Sequence, residues 1–174
     1  MNRRPEPHEF AEYYVTYVGK VPDGPVVEFL ENQRVEALDF LASIPETFEQ
    51  HRYAPEKWSI REVIGHVADS ERMFAMRALA FARKDGGPFP SFDENAYGAA
   101  SNAHDRSLEE LAAELDAIRR ATVLLFDGFS PNAWSRSGIA SEVEFTVRSL
   151  AWIIGGHAAH HFDVIRERYL SGAP

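Results

Sequence analysis

Trp152-Ile-Ile-Gly-Gly-His-Ala-Ala-His-His-Phe-Asp-Val-Ile165 is the stretch on which the fold of this chain turns. At roughly 100° per residue, Val147, Leu150, Ala151, Ile154, Ala158, Ile165 and Arg168 fall on one stripe of a helix. His157 and His161 lie inside that stripe, and His160 lies about 100° away, toward its edge. Two imidazoles four residues apart on an apolar face can approach one ion from the same side, which makes such a pair a metal-binding device. A third ligand has to come from elsewhere in the chain.

The segment Ser59-Ile-Arg-Glu-Val-Ile-Gly-His-Val-Ala-Asp-Ser-Glu71 offers one. Ile60, Val63, Ile64, Val67 and Phe74 form a second helical stripe, with His66 on its flank, where it can reach a neighbouring helix. The spacing therefore points to a metal site of His66, His157 and His161 inside a helical bundle. An imidazole buried without a partner costs on the order of a few kcal/mol; a metal ion is one partner, and an ordinary hydrogen bond in the core or a partly solvated cleft is the alternative. Three neutral histidines leave coordination positions open, the pattern of a catalytic site and not of a closed structural one. Zn²⁺ suits these ligands, and Ni²⁺, Fe²⁺ and Mn²⁺ are compatible with them. A divalent ion there makes water or a thiol brought to it more acidic. His8, His51 and His104 fall in a leader or in loops and read as solvated, while His160 is open between a site role and the helix surface.

Asp69 follows His66 by almost one turn, and Glu71 falls on the apolar stripe of its helix. Both are candidate catalytic carboxylates, able to orient a histidine N–H or to carry a proton. For Glu71 the competing assignment is a surface position, or an ion pair with Arg72 or an arginine of another helix.

Outward from these two segments the chain resolves into four amphipathic helices. The first runs from about Pro25 to Ser43 on Val26, Phe29, Leu30, Ala37, Phe40 and Leu41. The second starts at the capping box Ser59/Glu62 and ends near Lys84, before Gly86-Gly-Pro88. A second capping box, Ser107/Glu110, opens the third on Leu108, Leu111, Leu115, Ile118, Thr122, Phe126 and Phe129, with Gly128 and Pro131 closing it. The fourth runs from about Thr146 to Leu170. Residues 1–25 read as an extended leader around Phe10, Tyr13, Tyr14 and Tyr17 that packs on the body or equally covers a subunit interface, because so many aromatic rings are costly to leave in water. Residues 89–106 read as a long loop, and 132–145 as a loop or a short irregular hairpin. The expectation is an all-α four-helix bundle over residues 26–174, with the long connections available as crossovers.

The 174 residues suit one domain with a substantial core. A formal charge of −9 argues against nucleic acid or an anionic membrane surface as a partner. Without cysteine there is no disulfide, no thiolate ligand and no catalytic thiol, so any ligand set is nitrogen and oxygen. No stretch approaches the ~20 apolar residues of a membrane span, and the arginines at positions 3 and 4 are followed by no apolar run of a secretory signal. A cytoplasmic location and a small-molecule substrate are the expectation. Gly86-Gly87 and Gly155-Gly156 lack the spacing of a phosphate-cradling loop, and neither a Gly-x-Ser-x-Gly elbow nor paired Glu-x-x-His segments occur. Two glycines inside a helix cost about 1 kcal/mol each against alanine, so Gly155-Gly156 suggests close helix packing or space beside His157.

Lys57-Trp-Ser-Ile-Arg-Glu-Val-Ile-Gly-His-Val-Ala-Asp-Ser-Glu71, Phe92-Asp-Glu94 and Gly156-His-Ala-Ala-His-His161, together with the leader Glu12-Tyr-Tyr-Val-Thr-Tyr-Val-Gly-Lys-Val-Pro22, resemble the DinB-like superfamily of metal-binding four-helix bundles. The resemblance is especially to its branch of metal-dependent hydrolases and thiol S-transferases. The resemblance touches nearly the whole chain and implies up-down-down-up connectivity, a homodimer, and His66, His157 and His161 as the ligand triad. It also implies transfer of a low-molecular-weight thiol such as bacillithiol, mycothiol or glutathione to an electrophile; the loop 89–97, with Phe92 and Tyr97, is expected to border the pocket. Hydrolysis by metal-activated water, and a non-catalytic bundle that only binds metal or a ligand, are the rival expectations.

Overall fold

The structure, a computed structural model, describes residues 3–171, so the outermost residues expected in the leader and in the bundle lie outside the described part. In chain order the elements are α1 (Val15–Gly19), α2 (Val26–Ala42), α3 (Ile60–Ala82), α4 (Glu94–Ala100), α5 (Leu108–Asp127), β1 (Ser137–Ala140), β2 (Val143–Thr146) and α6 (Val147–Val164). One π turn, Ile165–Tyr169, prolongs α6. Helix starts follow local chemistry. Ser59 and Glu62 cap α3 reciprocally, as do Ser107 and Glu110 on α5 and Thr146 and Ser149 on α6, each pair satisfying N–H groups the helix leaves orphaned.

The connectivity can be read from which residues meet. Arg34 of α2 pairs with Asp116 of α5 at 2.5 Å, and Arg119, further along α5, reaches back to the Leu30 carbonyl, so α2 and α5 are antiparallel. On α3 and α5, Arg72 meets Glu114 and Glu71 meets Arg119, while Arg61 near the start of α3 reaches the His104 carbonyl just ahead of α5; this pair is parallel. Tyr169 beyond α6 donates to the Trp58 carbonyl before α3 at 2.7 Å, and Arg136, ahead of the hairpin, donates to the Ala82 carbonyl at the end of α3; α3 and α6 are antiparallel. Gln33 meets Gly155, and Phe40 meets Phe162, so α2 and α6 are parallel. The bundle is thus up-down-down-up, with α2 and α3 on one diagonal and α5 and α6 on the other, and both diagonal links are long crossovers.

Two segments differ from the extended or loop character expected of them, and the region 132–145 takes the hairpin form of its two expected alternatives. The leader is not extended: Pro7–Glu9 and Glu12–Tyr14 form 3₁₀ turns and α1 follows, because the stretch between Pro7 and Pro22 is free of proline and can coil. Phe10, Val18 and Val21 are buried, and the Tyr17 carbonyl lies so close to α6 that a Cβ at Gly156 would sit 1.8 Å from it. Within the expected loop, α4 is nucleated by the Asp93 carboxylate, which accepts from the Asn95 and Ala96 N–H groups at 3.0 Å. It buries none of its residues, so it leaves no apolar period in the sequence. The all-α expectation is met in the four long helices, to which the structure adds the β1–β2 hairpin. Ser141 and Glu142 form its turn, both left-handed at φ 52° and 63°, which matches the twist of the paired strands.

The core has two parts. One gathers the leader, the hairpin, Leu30, Phe74, Phe81, Phe126 and Leu150–Ile154; the other gathers Ala37, Leu41, Ile60–Ala68, Leu108–Leu115, Ala158, Phe162 and Tyr169. Between them lies a layer of buried polar groups: Gln33 on α2, His66, Ser70 and Glu71 on α3, Arg119 and Thr122 on α5, and His157 on α6. No helix of the described residues is long and apolar enough to cross a membrane.

Candidate metal centre

The polar layer places the histidines. Antiparallel packing of α3 on α6 sets His66 opposite the turn carrying His157 and His161, which the helical repeat stacks on one face. His66 Nε2 lies 3.1 Å from His157 Nε2, and His161 Nε2 lies 3.2 Å from the same atom. The rings stand at 62°, 72° and 67° to one another, so their edges converge and no pair stacks. All three nitrogens fall within 4.8 Å of each other.

Hydrogen bonding does not account for this arrangement. An imidazole nitrogen carries either one proton or one in-plane lone pair, so His157 Nε2 can satisfy one neighbour and not two. A cation among the three accepts a lone pair from each. Zn–N bonds of about 2.0–2.1 Å in a tetrahedral site put ligand nitrogens about 3.3 Å apart, close to the separations observed. The residues therefore fit a divalent ion, and the ligand set would be entirely imidazole.

Burial pushes the His66 imidazolium down to about 4. Burial, and then repulsion from His66 and His160, pushes His161 down to about 3. His157 is held well below its ordinary value, first by burial and then by the charges its histidine neighbours would carry. All three are neutral near pH 7, the protonation state a metal needs. The unfolded chain takes up protons below the ordinary value of 6.5 while the metal-free fold resists them, so stability present above 6.5 is lost as pH falls toward 4 and 3. The melting temperature of metal-free protein is expected to drop between pH 7 and 4.5, above the range where ordinary carboxylates titrate. A H66Q/H157Q/H161Q variant should show a much flatter profile by differential scanning calorimetry, and an equally steep one would refute the assignment.

Aromatic rings wall the cluster. Trp58 lies 4.8 Å from His66, Tyr17 5.3 Å from His157, and Phe74 6.0 Å from His157, all between ring centroids. Tyr17 also contacts His160 at 5.4 Å, which leaves His160 beside the cluster and outside it. Gly98 of α4 faces the Trp58 ring, so the short helix reaches the site through Trp58. Phe92 and Tyr97 pair with each other at 5.3 Å, and Tyr97 is exposed.

Neither candidate carboxylate belongs to the cluster. Asp69 is partly exposed and takes a 3.3 Å hydrogen bond from Arg72. Glu71 is 2 % exposed and accepts from Arg119 Nε and Nη2 at 2.8–3.0 Å. His51 packs against Phe48 and Tyr169, and His104 pairs with Asp105 at the surface, both away from the site. Arg119 and Gln33 are not among the candidates the sequence offers, and Trp58 and Tyr17 figure there only in the family motif and in the packing of the leader. Arg119 left a signal: it falls between Leu115 and Thr122 on the buried stripe of α5, where a guanidinium needs a carboxylate such as Glu71.

No curated protein matches the sequence. In fold the chain is similar to YfiT from Bacillus subtilis, described as a probable metal-dependent hydrolase with an unusual four-helix bundle topology. The TM-score is 0.71 and the identity 17 %, with 82 % of each chain covered. A sequence model of the DinB superfamily matches residues 30–165, a span that holds α3, α5, α6, all but the first four residues of α2, and the three converging histidines. By that match the chain belongs to the DinB superfamily.

Proposed function

We propose that this chain is a metal-dependent enzyme that transfers a low-molecular-weight thiol to a small electrophile, with His66, His157 and His161 as ligands of a divalent ion. Such an ion, with Zn²⁺ well matched to imidazole, lowers the pKa of a thiol brought to it. The observation that carries the reading is the make-up of the cluster: three neutral imidazoles and, among the described residues, no carboxylate within their span. A thiol starts at an ordinary pKa of about 8.5, far below water, so it needs a smaller shift to reach its anion, although an ion on three imidazoles also brings bound water to about 7. Glu71 is engaged on both oxygens by Arg119 and does not supply such a base. Trp58, Tyr17 and Phe74 flank the imidazoles and limit water around them. Burial raises the Tyr17 phenol above its ordinary value, so beside His157 it stays a neutral phenol.

A second reading, hydrolysis with water as the nucleophile, is favoured by the likeness to YfiT, whose description names that activity. The experiment that separates the two incubates tag-free, metal-loaded protein with an alkyl halide or epoxide panel, with and without bacillithiol, mycothiol or glutathione, beside p-nitrophenyl esters. Thioether formation that needs both metal and one thiol is the expected result. Ester cleavage without thiol would replace it with hydrolysis, and binding without turnover across the panel would refute both.

A further inference from the structure

The polar layer contains a chain of hydrogen bonds that the metal site itself does not use. Arg119 of α5 is held by Glu71 of α3, and its Nη1 donates to Gln33 Oε1 of α2 at 2.7 Å and to the Leu30 carbonyl at 3.3 Å. Gln33 Nε2 then donates to the Gly155 carbonyl of α6 at 2.9 Å. One buried path thus joins all four bundle helices and ends two residues before His157. Its direction is fixed: because Gln33 Oε1 faces a guanidinium, the amide N–H₂ must face Gly155. The carbonyl has two lone pairs, so it accepts from Gln33 without leaving the helical ladder. Glycine is what lets α2 come this close, since a Cβ at position 155 would meet the Phe29 ring at 2.8 Å and Leu30 at 3.3 Å.

We propose that Gln33 is a positioning residue for the metal site, fixing through Gly155 the axial position of α6 against the other helices and so the separation of His157 from His66. Apolar contacts above and below the layer are non-directional, and the other close ties of α6, Tyr169 to the Trp58 carbonyl and Gly156 against Tyr17, are made to elements other than α2. A helix advances about 1.5 Å per residue, whereas metal–ligand distances tolerate about 0.2 Å. A slide of a fraction of one residue therefore separates nitrogens that now stand 3.1 Å apart. A directional bond two residues from His157, anchored to a charge pair on α3 and α5, opposes such a slide. The geometry stands alone, and its consequence for metal binding rests on the function proposed above.

The test uses Gln33→Met, which keeps the length and loses both bonds, and Gln33→Glu, which still accepts from Arg119 but cannot donate to Gly155. Phe126→Leu, a core variant in α5 outside the polar layer, serves as the stability-matched control. Long-range ¹H–¹⁵N spectra of the metal-free proteins read the histidine rings, and Co²⁺ titration reads affinity and the visible ligand-field bands. Both Gln33 variants are expected to move the His66 and His157 ring nitrogen resonances, to weaken Co²⁺ about tenfold and to change its bands. Phe126→Leu should leave all three as in wild type. If the Gln33 variants only lower the melting temperature, with ring resonances and Co²⁺ spectra unchanged, the role is structural and the proposal falls. If wild type takes up no Co²⁺, the proposed function falls, and the ring resonances alone decide for or against the positioning role.

Discussion

Glu71→Ala is expected to destabilise the fold by about 3–5 kcal/mol, a large share of the total stability of a domain of this size. Glu71 and Arg119 are 2 % and 3 % exposed, and both carboxylate oxygens are taken by the guanidinium. Removing the carboxylate leaves Arg119 charged, desolvated and with only the neutral oxygens of Gln33 and Leu30 as partners. That is a different loss from deleting the pair. The double variant Glu71→Leu/Arg119→Met replaces both charges with apolar groups of similar reach, and such swaps are often neutral or stabilising. Urea unfolding followed by circular dichroism should therefore give a midpoint well below wild type for the single variant and one near it for the double. A single variant within about 1 kcal/mol of wild type, the range of exposed ion pairs, would show that Arg119 finds another anion or that water enters the layer. The double variant also removes the anchor of Gln33, so it should keep stability while losing metal affinity. Stability and site geometry can then be read apart.

What the sequence disclosed follows from which interactions are local. Capping boxes and a 3.6-residue apolar period lie within one segment, which is why α3, α5 and α6 start within a residue of where Ser59, Ser107 and Thr146 place them. The His157–His161 pair is local too, and His66 stood out because a long apolar helix carried it. Glu71 stood out for the same reason, but its partner Arg119 is 48 residues away, and nothing in either segment says which arginine it meets. The leader and α4 were hidden for a different reason. Tyr17 is fixed by the absence of a side chain at Gly156, a contact across the fold that no periodicity records. Gly155-Gly156, an oddity inside a helix, turns out to be the pair of seats on which α2 and α1 rest, with His157 next to both.

His157→Ala is expected to abolish stoichiometric metal binding, and it should do so more completely than either other single replacement. His157 Nε2 is the atom that both His66 and His161 approach, at 3.1 and 3.2 Å, so its loss removes the ligand nearest to both of the others. Structural zinc sites with four ligands bind with about 10–16 kcal/mol, or on the order of 3–4 kcal/mol per ligand, so one deletion should weaken binding by about 10²–10³-fold. The effect shows without any knowledge of substrate. Free metal at about 1,000 times its dissociation constant stabilises the folded state by about 4 kcal/mol, so wild type should melt several degrees higher with Zn²⁺ than after chelation. In His157→Ala, with metal then at only about 1–10 times its dissociation constant, that difference should shrink to about 1.4 kcal/mol or less. His160→Ala, whose ring touches Tyr17 and lies outside the cluster, should keep it. Elemental analysis of tag-free protein beside these melts makes the result decisive. If wild type stays empty and gains no stability from Zn²⁺, Ni²⁺ or Mn²⁺, the convergence of three neutral imidazoles has to be sustained by ordered water or by proton sharing inside the bundle. His157→Ala would then change stability by the same amount whether or not metal is present.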